Sequence, residues 1–134
     1  MVLYIRDMEV DGSRLVKSSL LFADLVEMYT NLEHISVPEQ YSDMVINSYI
    51  LWLNNNIINN NSDTNNDDDG ISSHWQINKD NVVSHFLFSL YMQDTKFMVL
   101  TVNYLLMYNR WEQCKLLVGQ LSYDIKNLIY EQVP

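Results

Sequence analysis

Cys114 and three histidines (His34, His74 and His85) carry the side chains best suited to nucleophilic or acid–base chemistry. A hydrolase brings a nucleophile, a base and an orienting group together; these four are scattered, with no local signature. Lys115 would lower the Cys114 thiol's pKa if it lay close, whereas packing in a helix would leave the thiol inert. His85 adjoins an apolar stripe, where a satisfied histidine is commoner than a metal ligand. The three glycines are unclustered, so no loop cradles a phosphate, and no His-Glu-x-x-His run exists for zinc. Asn65-x-Asp67-x-Asp69-Gly70, with Gln76 at the twelfth position, imitates a calcium loop. Calcium needs a bidentate carboxylate where Gln76 stands, so the stretch reads as a solvated acidic loop. Asn60-Asn-Ser62 matches a glycosylation acceptor, which stays unmodified without a secretory signal. The sequence predicts no catalytic residue, no metal and no cofactor; the protein is not expected to be an enzyme.

These residues sit in a chain of 134 with a formal net charge of −9 and a sequence pI near 4.5. That length fits one domain spanning 1–134, with enough apolar residues, 48%, for a core. Nucleic-acid phosphates and anionic membrane surfaces would repel such a chain, which has no basic stripe to release counterions. One cysteine excludes an internal disulfide and suits a reducing compartment. Arg6 and Asp7 interrupt the N-terminal apolar residues, so no signal peptide is expected. The longest apolar stretch, residues 97–108, falls short of the roughly 20 residues that span a bilayer. The expected location is the cytoplasm, with the nucleus open to it. Eight of the 15 asparagines lie between Asn54 and Asn66. With the acidic run that follows, they predict a disordered insertion at about 55–72 that cannot repay its ordering entropy.

The elements that would position these groups follow from periodicity. Val2-Leu-Tyr-Ile5 is a strand, paired or continued by Met8-Glu-Val10. Asp11-Gly12 is a turn signal, because glycine accepts positive φ. Leu15, Val16, Leu20, Leu21, Leu25, Val26 and Tyr29 recur at helical spacing, with Ser18 and Ser19 placed to cap the second half. His34 to Pro38 is a brief strand. Ser42 caps a helix whose buried stripe is Met44, Val45, Ser48, Ile50, Leu51 and Trp52. After the insertion, Asn78 or Asp80 caps a helix with Val82, Val83, Phe86, Leu87, Leu90 and Tyr91 inward. Asp94 or Thr95 starts a central helix, and two more cover Trp111–Val118 and Leu121–Tyr130. The fold class is α+β, a small N-terminal sheet flanked and followed by helices.

Several stretches together resemble the BTB/POZ fold, and within it the SKP-type F-box adaptors and elongin C. Glu9-Val-Asp and the run from Leu15 to Leu25 look like the family's strand, Ser-containing helix and helix ending in Leu. Ile35-Ser-Val-Pro38 is similar to its short strand leading to proline. Met44 to Leu53 resembles the next helix, with an aromatic near its end. The acidic insertion ending in Trp75 has a counterpart in SKP adaptors. Phe86 to Leu100 resembles the paired helices around an Asp-x-Lys junction, here Asp94-Thr-Lys96.

The resemblance implies protein binding. An SKP-like adaptor bridges an F-box-like or other helical partner to a cullin-type ubiquitin ligase. Its cullin-like face would be Tyr91, Met92, Gln93 and Thr95, although the family's Asn-Tyr pair is here Tyr91-Met92, without the Asn. Its partner-clasping helical face would be Tyr108, Trp111, Leu116, Leu117, Leu121 and Ile125. The alternative is a BTB-type self-associating scaffold without a ubiquitin role, in which Val2, Leu3, Tyr4 and Ile5 pair across a two-fold axis. Neither reading involves nucleic acid or membrane.

Overall fold

Val2–Ile5 (β1) and Met8–Asp11 (β2) form an antiparallel hairpin in the computed structural model of the protein, which describes residues 1–61 and 77–134. The pleat sends Leu3, Ile5 and Val10 into the core and leaves Val2 and Glu9 exposed. Ile5 opposes Met8, so the loop is only Arg6-Asp7, and Arg6 takes a φ of 58°. His34–Ile35 (β3) then lies parallel to β1, giving the sheet order β2-β1-β3. Tyr4 stacks on His34 across that pair, with ring centroids 5.2 Å apart.

Two expectations are corrected here. Asp11-Gly12 is not a turn: Asp11 caps helix α1 (Gly12–Ser18) by accepting from the Ser13 and Arg14 N–H groups, and among the described residues no glycine has positive φ. Gly12 instead sits close under neighbouring side chains: a Cβ there would stand 2.8 Å from Met1 Cγ and 3.2 Å from Leu3 Cγ, so the Met1 side chain would have to shift. The strand assigned to self-association, β1, is the middle strand. One edge is paired along its whole length with β2 and the other is paired with β3 at Tyr4 and Ile5. Leu3 and Ile5 are fully buried, so Val2–Ile5 does not offer a continuous free edge to a second copy.

Ser19 breaks the predicted long helix by capping α2 (Leu20–Met28), its Oγ accepting from Phe22 N–H at 3.3 Å. The residue buried on α2 is Phe22; Leu20 and Tyr29, expected inward, are exposed. Ser42 caps α3 (Asp43–Asn61), accepting from Val45 N–H. Val45, Ile46, Tyr49, Ile50, Trp52 and Leu53 are all buried, so α3 is covered on more sides than one stripe, and Met44 faces out. Residues 55–61, expected in a disordered insertion, continue α3; extending a nucleated helix costs little. The rest of that insertion, the calcium-like loop, His74 and Trp75 lie outside the described residues.

The remaining helices are α4 (Val82–Met92), α5 (Thr95–Met107), α6 (Trp111–Gly119) and α7 (Tyr123–Tyr130). The chain is thus an α+β protein, with seven helices among the described residues, and it divides into two compact units, Met1–Gln76 and Ile77–Pro134. In the second unit α5 is central, packing on α4, α6 and α7. Its start is capped by Asp94, fully buried, whose Oδ1 accepts from Phe97 N–H at 3.0 Å. Asn78 Oδ1 accepts from the Asp80 and Asn81 N–H groups, while Asn81 Oδ1 accepts from Asn78 N–H. This reciprocal pair sets the start of α4 at Val82.

Candidate partner-binding surface

The α4–α5 corner is built by backbone geometry. Gln93 N–H donates to Leu90 O and Asp94 N–H to Ser89 O, closing α4 through a left-handed residue, Gln93, at φ 56°. The same pattern ends α5: Asn109 N–H donates to Leu106 O and Arg110 N–H to Leu105 O, with Asn109 at φ 60°. Asparagine tolerates that conformation; glutamine has no such dispensation. Gln93 is therefore exposed and held at a turn that its own side chain does not favour.

Of the four residues assigned to a cullin-like face, Gln93 and Thr95 are exposed, and Tyr91 is half-buried with its ring stacked 6.3 Å from Phe88. Met92 is corrected: it is fully buried, because the stripe facing inward on α4 is Val82, His85, Phe86, Phe88, Ser89 and Met92. The structure instead places Thr95 beside Lys96, Val99 and Leu128, which line a shallow groove of 310 Å³ between α5 and α7.

The predicted C-terminal face is divided by the packing. Leu116 is 84% exposed, while Leu117, Leu121 and Ile125 are half-buried. Trp111 is half-buried and meets Tyr130 edge-on at 6.4 Å. Tyr108 is tied down, its hydroxyl donating to Ile77 O at 3.5 Å. Sequence reasoning missed Met107 and Tyr123, 59% and 74% exposed. Met107 had a signal: it follows Leu105 by two residues, and 200° of helix rotation points it away from the core. Leu116 obeys the same rule between buried Cys114 and Val118.

The groups that suggested chemistry are dispersed. His34 is exposed on β3. His85 on α4 is fully buried, its Nδ1–H donating to Asn81 O at 2.9 Å while Nε2 has no partner; burial pushes its pKa below 6.5. Cys114 on α6 is buried, which pushes its thiol up, and Lys115 lies 3.9 Å from Glu112. Among the described residues no group of three or more His, Cys, Asp or Glu could hold a metal ion. Nor is any helix among them long and apolar enough to cross a membrane.

Charge separates by unit. All nine net negative charges fall in Met1–Gln76, whereas five cationic and five anionic side chains balance in Ile77–Pro134. The exposed apolar groups of α5 to α7 therefore lie in a unit of no net charge.

No family model matches the chain, and comparison with curated proteins and with solved structures finds no match either. The functional reading rests on the side chains themselves.

Proposed function

We propose that the protein is a protein–protein interaction adaptor of BTB/POZ type, closest to SKP adaptors and elongin C, that links a helical partner to a cullin-type ubiquitin ligase. The observation that carries this reading is the surface of the second unit. Its core is closed by buried Phe86, Phe97, Leu105 and Val118, yet Met107, Leu116 and Tyr123 remain outside on three successive helices. A lone outward leucine is ordinary; several large apolar groups on adjoining helices are what a helical partner covers. The element order of the first unit supports the fold: strand pair, two short helices divided at a serine, a return strand before Pro38, then a long helix. The Asp94-Thr-Lys96 junction adds to it, with Asp94 capping the second of two paired helices. Thr95 and Lys96 then open the partner face toward the α5–α7 groove.

The test is a pull-down from cytosol with the intact chain. Recovery of a cullin or an F-box-like protein is the expected result. A folded chain that recovers neither ends the ligase role.

A further inference from the structure

In the first unit, one face of α2 carries charges and apolar groups that no neighbour among the described residues answers. Leu20, Asp24, Glu27 and Met28 fall at i, i+4, i+7 and i+8, a single stripe turned away from buried Phe22. Leu20 and Met28 are 58% and 68% exposed, and Tyr29 beside them is 55% exposed. Two acidic side chains three residues apart repel, and Glu27 sits in the last turn, at the negative end of the helix dipole. No basic residue occupies that turn. The carbonyls of Val26, Glu27 and Met28 accept no backbone N–H among the described residues. Met28 and Tyr29, with Leu32, also line an open groove of 480 Å³ just beyond the helix end.

We propose that this face of α2 docks a cationic amphipathic helix of a partner protein. Its Lys or Arg side chains would answer Asp24, Glu27 and the open carbonyls, and its apolar stripe would cover Leu20 and Met28. Charge complementarity selects this occupant over a second copy of the chain. Two α2 faces brought together would set Asp24 and Glu27 against their own copies, in the unit that already holds the whole net charge. The inference is independent of the adaptor reading, whose residues lie in the other unit.

The probe is a fluorescein-labelled helical peptide with leucines at i, i+3, i+4 and i+7 and lysines on both flanks, titrated with the full chain in 50 and 300 mM NaCl. Asp24→Asn with Glu27→Gln is expected to weaken binding about tenfold and to flatten its salt dependence. Leu20→Ser with Met28→Ser weakens it to a similar degree but leaves the salt dependence in place. Glu9→Gln with Glu39→Gln removes the same charge at two other exposed positions and should change affinity little. All six side chains are exposed, so far-UV circular dichroism should show an unchanged fold. The proposal is overturned if the Glu9/Glu39 variant weakens binding as much as the α2 charge variant, which would mean diffuse attraction. It is also overturned if neither α2 variant matters, or if light scattering shows a dimer that Leu20→Ser with Met28→Ser dissolves.

Discussion

Lowering the pH from 7.5 to 5.0 should destabilise the protein through His85, and replacing that residue should remove its share of the effect. The imidazole is fully buried; Nδ1–H donates to Asn81 O at 2.9 Å, and Nε2 faces no partner. Protonation would place a charge and an unsatisfied N–H in the packed interior of α4 and α5, where the Phe97 ring lies 6.5 Å from the imidazole. Burial is the larger influence on this group and holds its pKa below the ordinary 6.5, outweighing the Asn81 carbonyl, which favours the charged form. The unfolded chain therefore takes up a proton before the folded one does. Stability from this group is complete above pH 6.5 and is lost as the pH falls toward the folded value. While the folded imidazole stays neutral, each unit below 6.5 costs about 1.4 kcal/mol, so the ceiling at pH 5.0 is about 2 kcal/mol. His85→Phe fills similar space, needs no partner, and leaves Asn81 O bonded to the backbone N–H of residue 85 at 3.1 Å. Urea midpoints of both proteins at pH 7.5 and 5.0 isolate the effect, because surface carboxylates titrate equally in each. Wild type should lose more of its midpoint than His85→Phe. Equal losses would refute the assignment of a neutral, buried imidazole.

Three further outcomes follow from the same geometry. Asp94→Ala removes the buried cap of α5 and should cost about 1–2 kcal/mol in urea unfolding, with Asp94→Asn closer to wild type because its carbonyl can still accept from Phe97 N–H. Gln93→Gly should stabilise by about 0.5–1 kcal/mol, since glycine adopts φ 56° without a Cβ penalty; a loss of stability would mean that the Gln93 side chain makes contacts that outweigh it. Cys114 should resist a thiol reagent at pH 8 in the native protein and react fully in denaturant, because burial both shields it and raises its pKa.

Local chemistry was readable in the sequence and distant pairing was not. Ser19, Ser42 and Asp94 were legible as caps because each answers an N–H group only three residues on. Asp11-Gly12 misled for the opposite reason. The hairpin's true turn, Arg6-Asp7, carries no glycine and is held by residues far along the chain. Arg6 pairs with Asp43 at 2.7 Å and donates to Pro38 O at 2.8 Å. The central place of β1 likewise depends on β3, nearly thirty residues later, and nothing local to Val2–Ile5 announces it. Periodicity found that α4 is amphipathic but set its stripe too far toward Leu87 and Leu90. His85, Phe88 and Met92 face inward instead, since the covering neighbours decide which flank of a broad apolar helix is sealed. The candidate surface was half legible for the same reason. Leu116 was named, whereas Met107 and Tyr123 emerged only once the buried faces of their helices were fixed.

The adaptor reading is tested most directly by comparing the wild-type chain with Leu116→Ser/Tyr123→Ser in a cytosolic pull-down read by mass spectrometry. Both side chains are largely exposed, so circular dichroism and melting should match between the two proteins. The account predicts that wild type recovers a cullin or an F-box-like protein and that the variant loses the helical partner. A folded wild-type chain that recovers neither, or a variant that recovers the same partners in equal amount, would contradict it.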